Sequence, residues 1–423
     1  MHSMKSITKE IIFWAITVLI SAVAFIPYIP IGVMGFSADD VLFLTVLFIG
    51  IFFLFFNWGK CKKLPENFTW SFLFLAGVGF FSALYNAKNV KDFSMMIDKG
   101  PVRFLLTLFF LIIIYNLLDS KEKIKKMLIA LVGFSAVESI FGFFSYIFSW
   151  QGPFNIGIAT QRDYSVLSIL TNVHGRINGT FGSVIENFIG SNLLGAYLIM
   201  LIPIAVVFII ISKKFWQKAI FSLILLSQLI CLSLTYTRTS IVYAVIILLL
   251  FARMIEKKKI FLVIIMGAIL FSVFTPGLKE RFLIDSTDRV AIWKSAVLVA
   301  KEHPFWGVGP GRYLEELSAD MIDYDVFAFE IENITPHNFF LWIWAVLGFF
   351  GVMAVLWIIW EIVKSFWNAF HGINDYDSKV LISGVIASSI GFFLQNLTNN
   401  FLFVPVVAIY FWTLMVCGLK LWS

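Results

Sequence analysis

His337 stands in the stretch Thr335-Pro336-His337-Asn338, which opens a long apolar run from Phe339 to Trp360. Threonine caps helices and proline favours the first helical position, so the sequence predicts a helix starting at Thr335, with His337 and Asn338 in its first turn. Bare backbone N–H groups and the positive end of the helix dipole gather at such a start. That setting suits an anion beside a neutral imidazole that accepts a proton. A histidine reaching toward a membrane surface fits the same residues.

Three arginines invite similar questions. Arg238 lies in Thr235-Tyr236-Thr237-Arg238-Thr239-Ser240, a very short turn between two apolar stretches. A fixed guanidinium there suits a diphosphate, which arginine grips with two parallel hydrogen bonds. Snorkelling to lipid phosphate is the alternative. Arg176 lies in His174-Gly175-Arg176-Ile177-Asn178-Gly179-Thr180, whose glycines let backbone approach a ligand but whose spacing is not a P-loop. Arg289, Trp293 and Val297 fall at i, i+4 and i+8, which predicts an amphipathic surface helix that stops near His303-Pro304. Gly307-Val308-Gly309-Pro310-Gly311 then reads as a tight turn with positions open to positive φ. The segment from Arg312 to Glu332 is acidic and reads as a solvated loop, without EF-hand spacing. Glu138 is an acid within an apolar run, which makes it a functional candidate. Asn396, Asn399 and Asn400 read as helix caps. Cys61, Cys231 and Cys417 are too scattered for a zinc site or a disulfide framework. No HExxH or Walker A run is present.

The elements that must hold these residues are helices in a bilayer. Of the 423 residues 60% are hydrophobic and 14% charged, and the mean hydropathy is +0.90, which excludes an ordinary soluble domain. The apolar runs predict an all-α polytopic membrane protein with about twelve spans: 11–29, 40–58, 70–86, 101–118, 126–150, 188–211, 215–235, 238–253, 258–275, 337–363, 379–397 and 400–421. Lysines cluster in alternate short loops, as at Lys60, Lys62 and Lys63 and again at Lys121, Lys123, Lys125 and Lys126. The positive-inside rule makes that side cytoplasmic, with both termini there. The net charge of +6 is thereby assigned to topology rather than to nucleic acid. Two long connections, about 151–187 and 276–336, fall on the opposite, extracytoplasmic side, where long loops carry function. The chain divides at 187/188 into N-terminal helices with the first outer loop and a second region, 188–423, containing the loop 276–336. A secondary transporter or flippase for lipid-linked glycans would place charges at mid-bilayer, whereas here charges gather at the outer rim.

Three pieces carry a resemblance: Thr237-Arg238-Thr239-Ser240; Arg289-x3-Trp293 followed by His303-Pro304-Phe305-Trp306-Gly307-Val308-Gly309-Pro310-Gly311; and Pro336-His337-Asn338-x2-Leu341 with Gly348 and Gly351 beyond. In this order, from about Arg176 to Gly351, they resemble the O-antigen ligase and polymerase superfamily of bacterial membrane proteins. Before the sixth span the chain reads Ile185-Glu186-Asn187-Phe188 where family members often carry Asn-Pro-Asn. The resemblance implies a GT-C-like, metal-independent and inverting glycosyltransferase of the bacterial cytoplasmic (inner) membrane, with no cofactor. Its donor would be an undecaprenyl-diphosphate-linked glycan, its acceptor a sugar hydroxyl of lipid A–core (ligase) or of another lipid-linked repeat (polymerase). O-linked protein glycosylation is a further activity of the superfamily. The roles implied are His337 as proton acceptor and Arg238, Arg289 and Arg176 as diphosphate ligands. Asn338, Tyr236 and Trp293 would orient the imidazole or the sugar. Apolar flanks of the spans would form a groove for the polyprenyl tail.

Overall fold

The computed structural model describes residues 2–23, 30–31, 36–148, 186–235, 237–256, 287–317, 335–402 and 404–422. Helix α1 (His2–Ala22) leads to a minimal antiparallel pair, β1 (Pro30–Ile31) and β2 (Phe36–Ser37), with Pro30 opposite Ser37 and Ile31 opposite Phe36. Then come α2 (Ala38–Phe56), α3 (Glu66–Asn86), α4 (Val90–Ile97), α5 (Arg103–Leu117) and α6 (Lys121–Phe148). The second region holds α7 (Glu186–Ile211), α8 (Phe215–Leu234), α9 (Arg238–Met254), α10 (Thr287–Glu302), α11 (Tyr313–Glu316), α12 (Phe339–Gly372), α13 (Tyr376–Asn396) and α14 (Pro405–Trp422). A π-helical turn, Asp98–Val102, joins α4 to α5. The sequence placed that span's start at residue 101; the helical run begins at Val90 because the turn absorbs Pro101.

Seven helical runs among the described residues have the length and apolarity to cross a membrane. They are 66–86, 90–117, 121–143, 191–211, 215–234, 339–372 and 376–396, with shorter apolar helices at 41–56 and 405–421. Of the expected spans, 258–275 lies outside the described residues; the other eleven each overlap a helix.

Helix α7 is the axis of the bundle. Its span is 83% buried inside the protein, whereas that of α8 is 17% buried, which puts α8 at the periphery. In lipid, helices gain little from hiding apolar surface, so close packing must hold them. Small residues of α13 provide it. A Cβ at Gly384 would run into Val207 of α7, and one at Gly391 would stand 3.0 Å from Ile247 of α9.

One end of the bundle is rich in lysine. There Asn116 at the end of α5 accepts from the Lys62 amide at 2.6 Å, and Lys121 donates to Ser378 of α13 at 3.3 Å. Lys420 sits 3.7 Å from the ring centre of Tyr115. The starts of α9 and α12 lie at the other end.

Candidate functional site

Helix α9 begins at Arg238, directly after the extended residue Thr237 (φ −83, ψ 96). The Thr237 hydroxyl bonds the Ser191 carbonyl and Asn192 Oδ1 of α7, each at 3.3 Å. Gly195 lets the helix start come this close, since a Cβ there would stand 2.5 Å from Ser240 Oγ. Ser240 Oγ in turn accepts from Gln395 Nε2 of α13 at 2.9 Å. Arg238 is half-buried, and its guanidinium has no ion-pair or hydrogen-bond partner among the described residues.

The start of α12 differs from the expectation. Its cap is Asn338, not Thr335: Asn338 Oδ1 accepts from the amides of Phe340 (3.0 Å) and Leu341 (3.1 Å). His337 and Pro336 therefore precede the helix. His337 has φ 44, in the left-handed region that non-glycine residues rarely occupy. An amide side chain satisfies two orphan N–H groups where Thr335, three residues upstream, cannot reach. Asn338 Nδ2 donates to the Leu397 carbonyl at 3.0 Å, just past the end of α13. Two residues before Leu397 is Gln395, the partner of Ser240. The last turn of α13 thus ties the start of α9, with Arg238, to the start of α12, with His337. Of the asparagines expected to cap helices, Asn399 meets the end of α13, its Nδ2 donating to the Gln395 carbonyl at 3.3 Å. Asn396 is the last residue of α13 and its Oδ1 accepts from the loop amides of Phe401 (2.9 Å) and Leu402 (3.1 Å), while Asn400 Oδ1 is buried without a partner among the described residues.

Helix α12 is broken at Gly348 (φ 66, ψ −161). The glycine segment, read as a tight turn, fills that break. In an unbroken helix the Phe349 and Phe350 amides would donate to the Ala345 and Val346 carbonyls. Here Phe349 N donates to the Pro304 carbonyl (2.8 Å) and Phe350 N to that of Phe305 (3.4 Å), while Val308 N and Gly309 N donate to Ala345 (2.9 Å) and Val346 (3.0 Å). The two bonds lost at Phe349 and Phe350 are thus replaced by the strap 304–309. Non-helical backbone at membrane depth requires this kind of burial in protein. Gly307, Gly309 and Gly311 all have positive φ.

Helix α3 secures the strap. Ser82 Oγ donates to the Trp306 carbonyl at 2.6 Å and Asn86 Nδ2 to that of Gly307 at 2.9 Å. Arg312, placed by sequence in a solvated acidic loop, is 3% exposed; it donates to the Asn86 carbonyl (2.7 Å), Glu315 (3.2 Å) and Glu316 (3.3 Å). The mixed sequence hid this, because a buried arginine beside two acids looks like any charged loop. The rest of that segment, 318–334, lies outside the described residues.

Helix α10 forms as expected, but its buried stripe is Ser295, Ala296, Val299 and Ala300, packed toward α12. Trp293 and Val297 flank the stripe half-buried, and Val290 is exposed, because small residues allow closer approach than the indole. The indole Nε1 of Trp293 is buried without a hydrogen-bond partner among the described residues. Arg289 lies in the first turn of α10; its side chain, like Arg176 and Tyr236, is outside the described set. Glu138 is fully buried within α6, away from these helix starts in sequence. Among the described residues, no three His, Cys, Asp or Glu side chains cluster as metal ligands would.

Comparison with known families adds one finding. A family model described as O-Antigen ligase matches residues 184–356. The matched stretch starts after Arg176 and includes Tyr236, Arg238, Arg289, Trp293, the strap, His337 and Asn338. No curated protein matches the chain.

Proposed function

We propose, from the match of residues 184–356 to the family model described as O-Antigen ligase, that the protein is a ligase-type glycosyltransferase. The donor is an undecaprenyl-diphosphate-linked glycan, and the acceptor a sugar hydroxyl of lipid A–core. One observation carries the reading: the end of α13, through Gln395 and Leu397, bonds both the start of α9, whose Arg238 has no partner among the described residues, and the start of α12, with His337.

The chemistry follows from those groups. Arg238, joined by Arg289 and Arg176, holds the diphosphate and stabilises the charge that grows on it. His337 accepts the proton of the acceptor hydroxyl. The hydroxyl oxygen bonds to the anomeric carbon as the bond to the diphosphate oxygen breaks, and the electron pair leaves with the diphosphate. Attack from the opposite face inverts the centre. Asn338 fixes the backbone that carries His337, and Trp293 and Tyr236 line the sugar. No metal takes part in this scheme. The lysine-rich end, opposite the helix starts, supports a cytoplasmic face with both termini there and a reaction at the outer face of the inner membrane.

The test uses purified protein, undecaprenyl-diphosphate glycan and lipid A–core. Transfer to core that His337→Ala and Arg238→Ala abolish, with both variants still folded, is the expected result. Elongation of donor without core would identify a polymerase. Leaflet exchange without any new glycosidic bond, or near-normal transfer by either variant, overturns the mechanism.

A further inference from the structure

Four parts of the chain meet in a cavity at the lysine-rich end, opposite the candidate site. It holds about 920 Å³, counting its open mouth, within the size range of small-ligand pockets, roughly 300–1,000 Å³. Its walls are Lys62 from the connection after α2, the turn 118–121 between α5 and α6, the turn 372–375 between α12 and α13, and Lys420 near the end of α14. Three ammonium groups therefore share it. Lys420 is only 9% exposed, its nitrogen 3.7 Å from the ring centre of Tyr115, whereas Lys62 and Lys121 are exposed. One positive charge is held deep and two stand at the rim. The rim residues are anchored. Asn116 of α5 clasps the Lys62 backbone from both sides, its Oδ1 accepting from the amide at 2.6 Å and its Nδ2 donating to the carbonyl at 3.0 Å. Lys121 donates to Ser378 Oγ of α13 at 3.3 Å.

Lysines that only mark one face of a membrane protein extend into water, where salt screens them from one another. Here Lys62 is near enough to Lys420 to repel it, and partial burial weakens the screening. The two carboxylates of the cavity are both engaged elsewhere. Asp119 attracts Lys420 but is paired with Lys123 of α6 at 2.9 Å. Asp375 caps α13, its Oδ2 accepting from the Ser378 amide at 3.0 Å. The Lys62 ammonium has no ion-pair or hydrogen-bond partner among the described residues. An anion seated among the three lysines relieves their repulsion. Phosphate suits the place, because its oxygens point in several directions and accept from several ammonium groups at once. Basic pockets between membrane helices take phosphate head groups in this way. We infer that this cavity binds a phosphate group, carried by an anionic phospholipid or by a soluble phosphate compound. The inference does not depend on the transferase reading, and its residues lie outside the region matched by the family.

The experiment follows the unfolding midpoint of the full chain, delipidated in a neutral detergent, as three probes are added. They are phosphatidylglycerol, phosphatidylcholine with the same acyl chains, and sodium phosphate against sodium chloride at matched ionic strength. A ligand of the folded state raises the midpoint as its concentration grows. Phosphatidylglycerol should raise it more than phosphatidylcholine if the phosphate arrives on a lipid, and sodium phosphate more than chloride if it arrives in solution; either result supports the site. Lys62→Gln, a change at an exposed side chain, should raise the concentration needed for half the shift about tenfold, the loss of one charge-assisted contact. Lys121→Gln should act likewise. Lys213→Gln, at an exposed lysine between α7 and α8 that does not line the cavity, is the control and should leave the shift unchanged. Equal shifts from the two lipids together with none from phosphate overturn the inference. So does a Lys213→Gln effect as large as that of Lys62→Gln, which would mean a diffuse surface charge and no site.

Discussion

Gly307 and Gly348 meet with no room for a side chain between them: a Cβ on Gly348 would stand 2.6 Å from the Gly307 amide nitrogen. Both have positive φ, 64 and 66. Their contact is where the strap enters the gap in α12, so the residues that carry Arg289 and those that carry His337 belong to one packed unit.

Gly348→Ala forces a side chain into a conformation reserved for glycine and into the Phe305 carbonyl. It should cost about 2–3 kcal/mol, read as a lowered unfolding midpoint in detergent. Gly133, in α6 with open space around it, is the control: Gly133→Ala should be neutral or stabilising by about 0.5–1 kcal/mol. Equal midpoints for the two variants would count against the strap.

Arg312→Ala removes a buried guanidinium that holds the strap to α3 through the Asn86 carbonyl. The expected loss is about 2–3 kcal/mol, below that of a fully buried pair because Glu315 and Glu316 are 58% and 32% exposed. Arg312→Lys should recover little, since one ammonium cannot reproduce a fork with three acceptors. Thermal unfolding of the three proteins decides this.

Asn338 separates two functions of one side chain. Asn338→Asp keeps the oxygen that caps α12 and loses the donor to Leu397, whereas Asn338→Ala loses both. The alanine variant should lose about 1–2 kcal/mol of stability. The aspartate variant should stay close to wild type in stability yet show slower transfer, because the turn that joins Arg238 to His337 is loosened. Wild-type turnover in the aspartate variant would detach this contact from the site.

Asp375 caps α13 at the lysine-rich end, its Oδ2 accepting from the Ser378 amide at 3.0 Å. Hydrogen bonds from the Ser378 side chain and amide, with help from Lys121 and Lys125, hold its carboxyl below the ordinary value. A depressed folded-state pKa stabilises the fold above the unfolded value of about 3.9, and the effect is lost as pH falls through the folded one. Asp375→Ala should therefore lower the unfolding midpoint at neutral pH, and its difference from wild type should shrink below about pH 4.

Helix positions were readable because runs of about 20 apolar residues have one common explanation in a chain this greasy. The arginine and histidine at helix starts were readable for a similar reason: charge beside an apolar run is conspicuous. What escaped was long-range. Nothing local in Gly307–Gly311 tells an ordinary tight turn from a patch inside a broken helix, since its partners, Ala345 to Phe350, lie about 40 residues on. Ser82 and Asn86 look like ordinary helix residues until the strap is beside them. Gln395 shows the same limit, its role set by a serine 155 residues away. The shift of the α12 cap from Thr335 to Asn338 was a local ambiguity, because Thr-Pro and Asn are both capping signals.

The strap precedes α12 in the chain, so during synthesis the segment that closes the gap emerges from the ribosome before the gap itself. The interrupted helix never has to wait in lipid for its missing bonds. A circular permutant cut between 318 and 334 would reverse that order and leave the open backbone exposed while its cover was still being made.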